Sequence, residues 1–218
     1  MYGNNNHSIT PGDDISSLWL TIQVLENETM TDDQHGETKK EVLQKVKKID
    51  PDWSLVLGKF KHVRDENFEA FLISVGVPYF LRGLISGSTP TVVVERIPYD
   101  DYYYDHDIKH YLDDEYMDFV DVEAKETEAY QIMITSSTFL SSHVEQFRPG
   151  YTFEKMDRDG TKSQNTYVFV APSVLVQYKH KAAYSLSIIR VFDEEGSVTT
   201  IINKNTGIQA KRFFDRVN

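Results

Sequence analysis

The chain has 218 residues, is 40% hydrophobic and 12% aromatic, and carries a formal net charge of −11. That is long enough to bury a full core and too apolar for a disordered segment. Cysteine is absent, which excludes disulfides, zinc–thiolate centres and thiol catalysis, and the acidic balance argues against non-specific nucleic-acid binding.

No stretch approaches the roughly 20 apolar residues of a membrane span. The N-terminus lacks the basic and apolar regions of a secretory signal, so a soluble cytoplasmic protein is expected. Residues 1–36 are polar except for an apolar run around Leu18, Trp19, Leu20, Ile22, Val24 and Leu25. Between Glu37 and Asp50, Val42, Val46 and Ile49 fall on one helical face among lysines, and Asp50-Pro51-Asp52 stops the pattern. Residues 1–52 therefore read as an N-terminal extension, partly flexible, with a short amphipathic helix.

From Trp53 the pattern turns to β. Ser54–Val63 is the first expected strand, and Asp65 is a candidate N-cap for a helix through Phe68, Phe71, Leu72 and Val75, ended by Gly76. A second helix is expected from Tyr79 to Ser86. After Pro90 come strands at Thr91–Arg96, Tyr130–Ser136, Leu140–Phe147, Tyr151–Met156, Ser163–Val170, Ser173–His180, Ala183–Phe192, Val198–Asn203 and Ile208–Arg216. Turn signals such as Arg148-Pro149-Gly150 and Asn205-Thr206-Gly207 separate them. Ten short strands with tight connections and one helical pair favour an up-and-down antiparallel barrel over a sandwich. Residues 53–218 form this β-barrel domain, interrupted by segment 97–129.

That segment holds most of the charge. It carries twelve acidic residues against Lys109 and Lys125, a net −10, and six tyrosines. His106 and His110 stand at helical spacing among Asp105, Asp107, Asp113 and Asp114. Three readings stay open: a solvated acidic loop, a protein-docking surface that uses the tyrosines, and a divalent-metal site. The ligand mixture selects no particular metal. Asp157-Arg158-Asp159-Gly160 begins like a calcium loop, but the later ligands are missing, so it reads as a turn.

Two arginines stand out among the strands. Successive strand residues point to opposite faces, so Arg190 shares a side with Tyr184, Leu186 and Ile188. Arg212 shares one with Ile208, Ala210 and Phe214. No acidic partner is obvious nearby in sequence, and buried charge must be paired or hydrated. A guest with an anionic head and an apolar tail would suit both halves of such an interior.

Gly58-Lys59-Phe60, followed by Glu66-Asn67-Phe68-Glu69-Ala70-Phe71-Leu72, resembles the G-x-W and E-N-F-D-x-Y-M signatures of the intracellular lipid-binding proteins. This is the fatty-acid-binding and retinoid-binding family of the calycin superfamily. Val75-Gly76-Val77, Arg82, Pro90, Ser137-Thr138-Phe139, Gly150-x-x-Phe153-Glu154 and Leu175-Val176-Gln177 continue the match. Lys211-Arg212-Phe213-Phe214-Asp215-Arg216 lines up with the R-x-Y ending. The resemblance covers residues 53–96 and 130–218. It implies a ten-stranded barrel lidded by two helices, with one apolar ligand inside and Arg190 and Arg212 holding its carboxylate. Phe68, Phe71, Tyr79, Leu81 and Phe139 would line the cavity or its portal, or simply pack the core. Phe214 replaces the family's tyrosine, so one hydroxyl for the head group is missing. Phe60 and Phe71 replace a tryptophan and a tyrosine. The insertion would join the second and third strands at the end away from the lid.

The expected function is therefore non-enzymatic: intracellular binding and transport of a long-chain fatty acid or similar amphipathic carboxylate. No cofactor and no metal is expected, only the lipid ligand. Transient membrane contact through the helical lid and a protein partner at the acidic insertion are the other expected contacts. The alternative is a barrel-based interaction module that engages a partner through the insertion and the N-terminal arm.

Overall fold

The computed structural model describes residues 49–98, 130–139, 141–157 and 159–217. The expected helix of residues 37–48, the apolar run near Leu20 and the histidine-bearing acidic segment lie outside them. Residues Asp50–Asn218 belong to one compact unit.

The expected first strand begins later than its sequence suggests. Asp52 caps a single helical turn, α1 (Trp53–Val56), by accepting a hydrogen bond from the Ser54 amide at 3.1 Å. Strand β1 then runs Gly58–Glu66. The shift has a local cause: the Asp52 side chain accepts from the Ser54 amide and its carbonyl from the Leu55 and Val56 amides, each at 3.0 Å, so the turn closes before any strand partner is reached. Asp65 is consequently not a helix cap but a residue of β1. The turn out of β1 is made by Asn67 in the left-handed conformation, φ 56°, whose side-chain amide donates to the Gln209 carbonyl at 2.7 Å.

Helix α2 (Phe68–Ser74) buries Phe68, Phe71 and Leu72, spaced to share one face, against Leu186 and Ala210. Helix α3 (Tyr79–Ser86) follows and has no buried residue. The remaining strands are β2 (Thr91–Pro98), β3 (Tyr130–Ser137), β4 (Ser142–Phe147), β5 (Thr152–Met156), β6 (Lys162–Ala171), β7 (Val174–His180), β8 (Ser185–Phe192), β9 (Gly196–Asn203) and β10 (Gln209–Val217).

All ten form one antiparallel sheet in the order β4-β3-β2-β1-β10-β9-β8-β7-β6-β5. Every neighbour is a sequence neighbour except β1 and β10, the pairing that brings the chain ends of the sheet together. The sheet curls until its two outer strands, β4 and β5, meet through side chains. Lys155 pairs with Glu145, and Phe147 on β4 stacks on Tyr167 of β6 at 3.6 Å between ring centroids. This is the up-and-down β architecture expected from the strand pattern.

The helices and the β3–β4, β5–β6, β7–β8 and β9–β10 turns share one end. At the other, Arg216 clasps the chain, donating to the carbonyls of Leu55, Leu57 (2.8 Å) and Asp193 (3.2 Å) while its guanidinium lies 4.8 Å from the Phe60 ring. Strands β2 and β3 also end here, where Pro98 pairs with Tyr130. The chain therefore leaves β2 and re-enters β3 at the end away from the helices.

Candidate functional site

Register places both arginines in one row. Arg190 on β8 stands opposite Thr199 on β9, and Thr199 stands opposite Arg212 on β10. Arg212 in turn stands opposite Asp65 on β1. Residues facing one another across antiparallel strands carry side chains on the same face. That face also bears buried Phe60, Leu175, Gln177, Leu186 and Ala210. It is not packed solid: inward-facing Val92, Ser136, Ile188, Thr199 and Ile201 all keep accessible surface.

Around Arg190 the polar groups form an oriented chain. A guanidinium only donates, so the Gln177 carbonyl must face it, and Nη2 reaches Oε1 at 3.0 Å. Gln177 can then turn only its amide outward, donating to Asn165 Oδ1 at 3.1 Å; Asn165 donates to Ser163 Oγ at 2.9 Å. Gln177, Asn165 and Ser163 are all buried. The other guanidinium nitrogen, Nη1, is buried without a hydrogen-bond partner, and the buried Tyr167 hydroxyl lies close to the Glu145 carboxylate.

Arg190 lies 5.9 Å from the Tyr167 ring centroid. Burial pushes the Tyr167 phenol well above its ordinary range, reinforced by the negative charge of Glu145. It therefore stays protonated and able to donate. Burial would also raise Glu145, but Lys155 outweighs it and, with help from Tyr167 and Arg190, holds that carboxyl below its ordinary value. Glu145 is thus an anion on the inner wall, and Lys155 is its ion-pair partner.

Arg212 has an internal partner, contrary to what its sequence neighbourhood suggests. Its Nε donates to Asp65 Oδ1 at 2.8 Å and its Nη2 to Oδ2 at 3.3 Å, a bidentate pair with both side chains 14% exposed. The His62 ring approaches the same Oδ1 at 2.7 Å. The guanidinium also lies 4.2 Å from the Phe68 ring centroid and 6.0 Å from that of Phe214.

In an ideal strand Asp65 and His62, three apart, would face opposite ways. A bulge between His62 and Arg64 shifts the register by one residue, so both turn inward. Simple alternation concealed this pair. Glu145 and Lys155 were missed for another reason: His143, Glu145 and Phe147 do alternate onto one face of β4, but the meeting of β4 with β5 is made only by the curl of the sheet.

The other sequence candidates divide. Phe68, Phe71 and Phe214 are buried, Leu81 is half-buried, and Tyr79 and Phe139 are 82% and 88% exposed. Phe68 and Phe71 pack beneath the lid with Leu72, whereas Tyr79 and Phe139 project at the lid end. Among the described residues, no cluster of three or more metal-ligating side chains occurs. The Asp157–Gly160 stretch is a turn, closed by the Gly160 amide on the Asp157 carbonyl at 2.9 Å.

No family model matches the chain. A fatty acid-binding protein of Tyrophagus putrescentiae is 31% identical over 160 residues, which cover 73% of this chain and 95% of that protein. A solved Schistosoma mansoni fatty acid binding protein, in complex with arachidonic acid, superimposes with a TM-score of 0.56 at 19% identity, over 75% of this chain and 96% of that one. An extracellular fatty acid binding protein, As-p18, gives a TM-score of 0.55 at 18% identity over 78% and 100% of the two chains. The structural matches establish the shared fold.

Proposed function

This chain belongs to the fatty-acid-binding protein family, and on that premise we propose that it is a non-enzymatic carrier of a long-chain fatty acid or similar amphipathic carboxylate. The lipid tail lies along the incompletely filled inner face of the sheet, and its head meets the polar wall around Arg190. The observation that carries this reading is the buried Arg190 Nη1 with no hydrogen-bond partner, beside an Nη2 already committed to Gln177. An anionic oxygen would satisfy it.

Burying the tail contributes about 0.8 kcal/mol per methylene before ordering costs, and charge-assisted hydrogen bonds about 1.5–3 kcal/mol net. The tail therefore dominates affinity while the wall selects the head. Phe214 supplies apolar surface where the family's R-x-Y ending has a hydroxyl, which shifts the weight of head-group recognition further toward Arg190.

Entry and exit belong to the helical end. Tyr79, Phe80, Leu84, Phe139 and Met156 are exposed there by 52–88%, an apolar rim suited to transient contact with a membrane during transfer. We place the carrier in the cytoplasm. No helix among the described residues is long and apolar enough to cross a membrane. Residues 1–52 and 97–129 are additions to the carrier domain in this scheme, and any protein partner would engage the acidic segment.

The test is lipid extraction from purified protein with mass spectrometry, followed by displacement of a fluorescent fatty acid. A long-chain fatty acid is expected in the extract, and Arg190→Gln is expected to weaken oleic acid about tenfold or more. Absence of bound lipid together with no displacement by any long-chain acid would overturn the carrier assignment.

A further inference from the structure

We propose that Asp65 is a specificity-determining residue: it fills Arg212 as a built-in carboxylate and so reserves the reception of an anionic lipid head for Arg190. The inference rests on the carrier function above and names how its site divides.

The two arginines occupy equivalent places in the row, each opposite Thr199, but their electrostatic states differ. Arg212 is engaged along one edge by both oxygens of Asp65, and its Nη2 also reaches the Ser88 carbonyl at 3.5 Å. Arg190 has only a neutral amide oxygen on Nη2 and nothing on Nη1. Glu145, an acid that acts on it through space, is committed to Lys155.

A carboxylate that sought Arg212 would meet a guanidinium whose charge Asp65 already balances and whose Nε–Nη2 edge is filled, and it would lie close to a second anion. One that settles at Arg190 displaces nothing. The strands bearing the two arginines are two sheet spacings apart, about 10 Å, with Thr199 between them. Asp65 thus neutralises one of the two arginines in this row. The vicinity of Arg212, made neutral and flanked by Phe68 and Phe214, becomes a surface for the acyl chain.

The bulge in β1 is what makes this arrangement available. Val63 is the extra residue and projects outward, 52% exposed, while Arg64 lies over the outward Phe213 ring at 3.5 Å. Asp65 is left as the inward residue opposite Arg212.

The experiment compares displacement of a fluorescent fatty acid by oleic acid and by oleyl alcohol in three full-length proteins: the parent, Asp65→Asn, and Asp65→Asn with Arg212→Gln. Urea unfolding reports the folded fraction of each. Freeing Arg212 in Asp65→Asn is expected to raise the acid-to-alcohol affinity ratio about tenfold. The double variant, with neither charge, is expected to return to the parental ratio.

An unchanged or lower ratio in folded Asp65→Asn overturns the proposal while parental binding leaves the carrier reading intact. If Asp65→Asn does not fold, the double variant decides alone. A ratio equal to the parent's supports the proposal, and a tenfold fall shows that Arg212 already serves the head group despite Asp65. A parent that binds neither probe sinks the carrier reading itself, and with it this inference.

Discussion

Glu145 on β4 and Lys155 on β5 join the two outer strands of the sheet, where backbone hydrogen bonds do not. Their side chains are only 12% and 20% exposed, so each charge depends on the other for compensation. Removing one partner, as in Lys155→Met, is expected to destabilise the protein by about 3–5 kcal/mol. Replacing both, as in Glu145→Leu with Lys155→Met, should cost far less because no charge is stranded. Urea unfolding of the two singles and the double gives the coupling. A double variant as unstable as the sum of the singles would refute the pairing.

Acid should loosen the lid-end turns. Asp157 accepts from Lys179 at 2.8 Å and pairs with Lys181 at 3.0 Å, tying the β5–β6 turn to β7 and the turn after it. Burial would raise the Asp157 carboxyl, but the two lysines bring it below its ordinary value, and Glu145 is lowered in the same sense. A depressed folded-state value means that the unfolded chain binds more protons. The stabilisation is therefore complete above the ordinary carboxyl range near pH 4 and lost as pH falls through the lower folded value. Stability measured against pH should slope downward below about pH 4. A Lys179→Met, Lys181→Met variant should show a shallower slope.

Gly196 opens β9 where a side chain has no room. A Cβ built there would lie 2.0 Å from the Phe214 carbonyl oxygen, a backbone atom held in the β9–β10 ladder. Gly196→Ala is expected to destabilise the domain by about 1–3 kcal/mol. A thermal midpoint unchanged from the parent's would show that the strands separate there without strain.

The exposed rim should matter for transfer and not for folding. Tyr79, Phe80 and Phe139 are 78–88% exposed, so serine at all three positions should change stability little, within about 0.5 kcal/mol per site. Transfer of a fluorescent fatty acid to phospholipid vesicles should slow several-fold, with equilibrium affinity preserved. Equal transfer rates would remove the rim from the mechanism.

The lid is an instructive case of what could be read in advance. Phe68, Phe71, Leu72 and Val75 carry the helical spacing in plain view, and the burial of the first three follows it. Arg190 was equally legible, a cation in a run of alternating apolar residues. Arg212 was legible only by half: its face was right, but its partner lies 147 positions away. The sequence also could not say that α1 would delay the first strand, because that depends on a capping bond that competes with strand pairing.

The amino-acid order by itself determined the ten-strand pattern, the two lid helices and which face of β8 and β10 bears a guanidinium, since side-chain period is a local property. Whether those guanidinium groups were free was decided only on folding. Closing β1 onto β10 through a bulge turned Asp65 inward and set it against Arg212. Curling the sheet brought Glu145 to Lys155, and no such pairing across distant strands is encoded in the spacing of neighbouring residues.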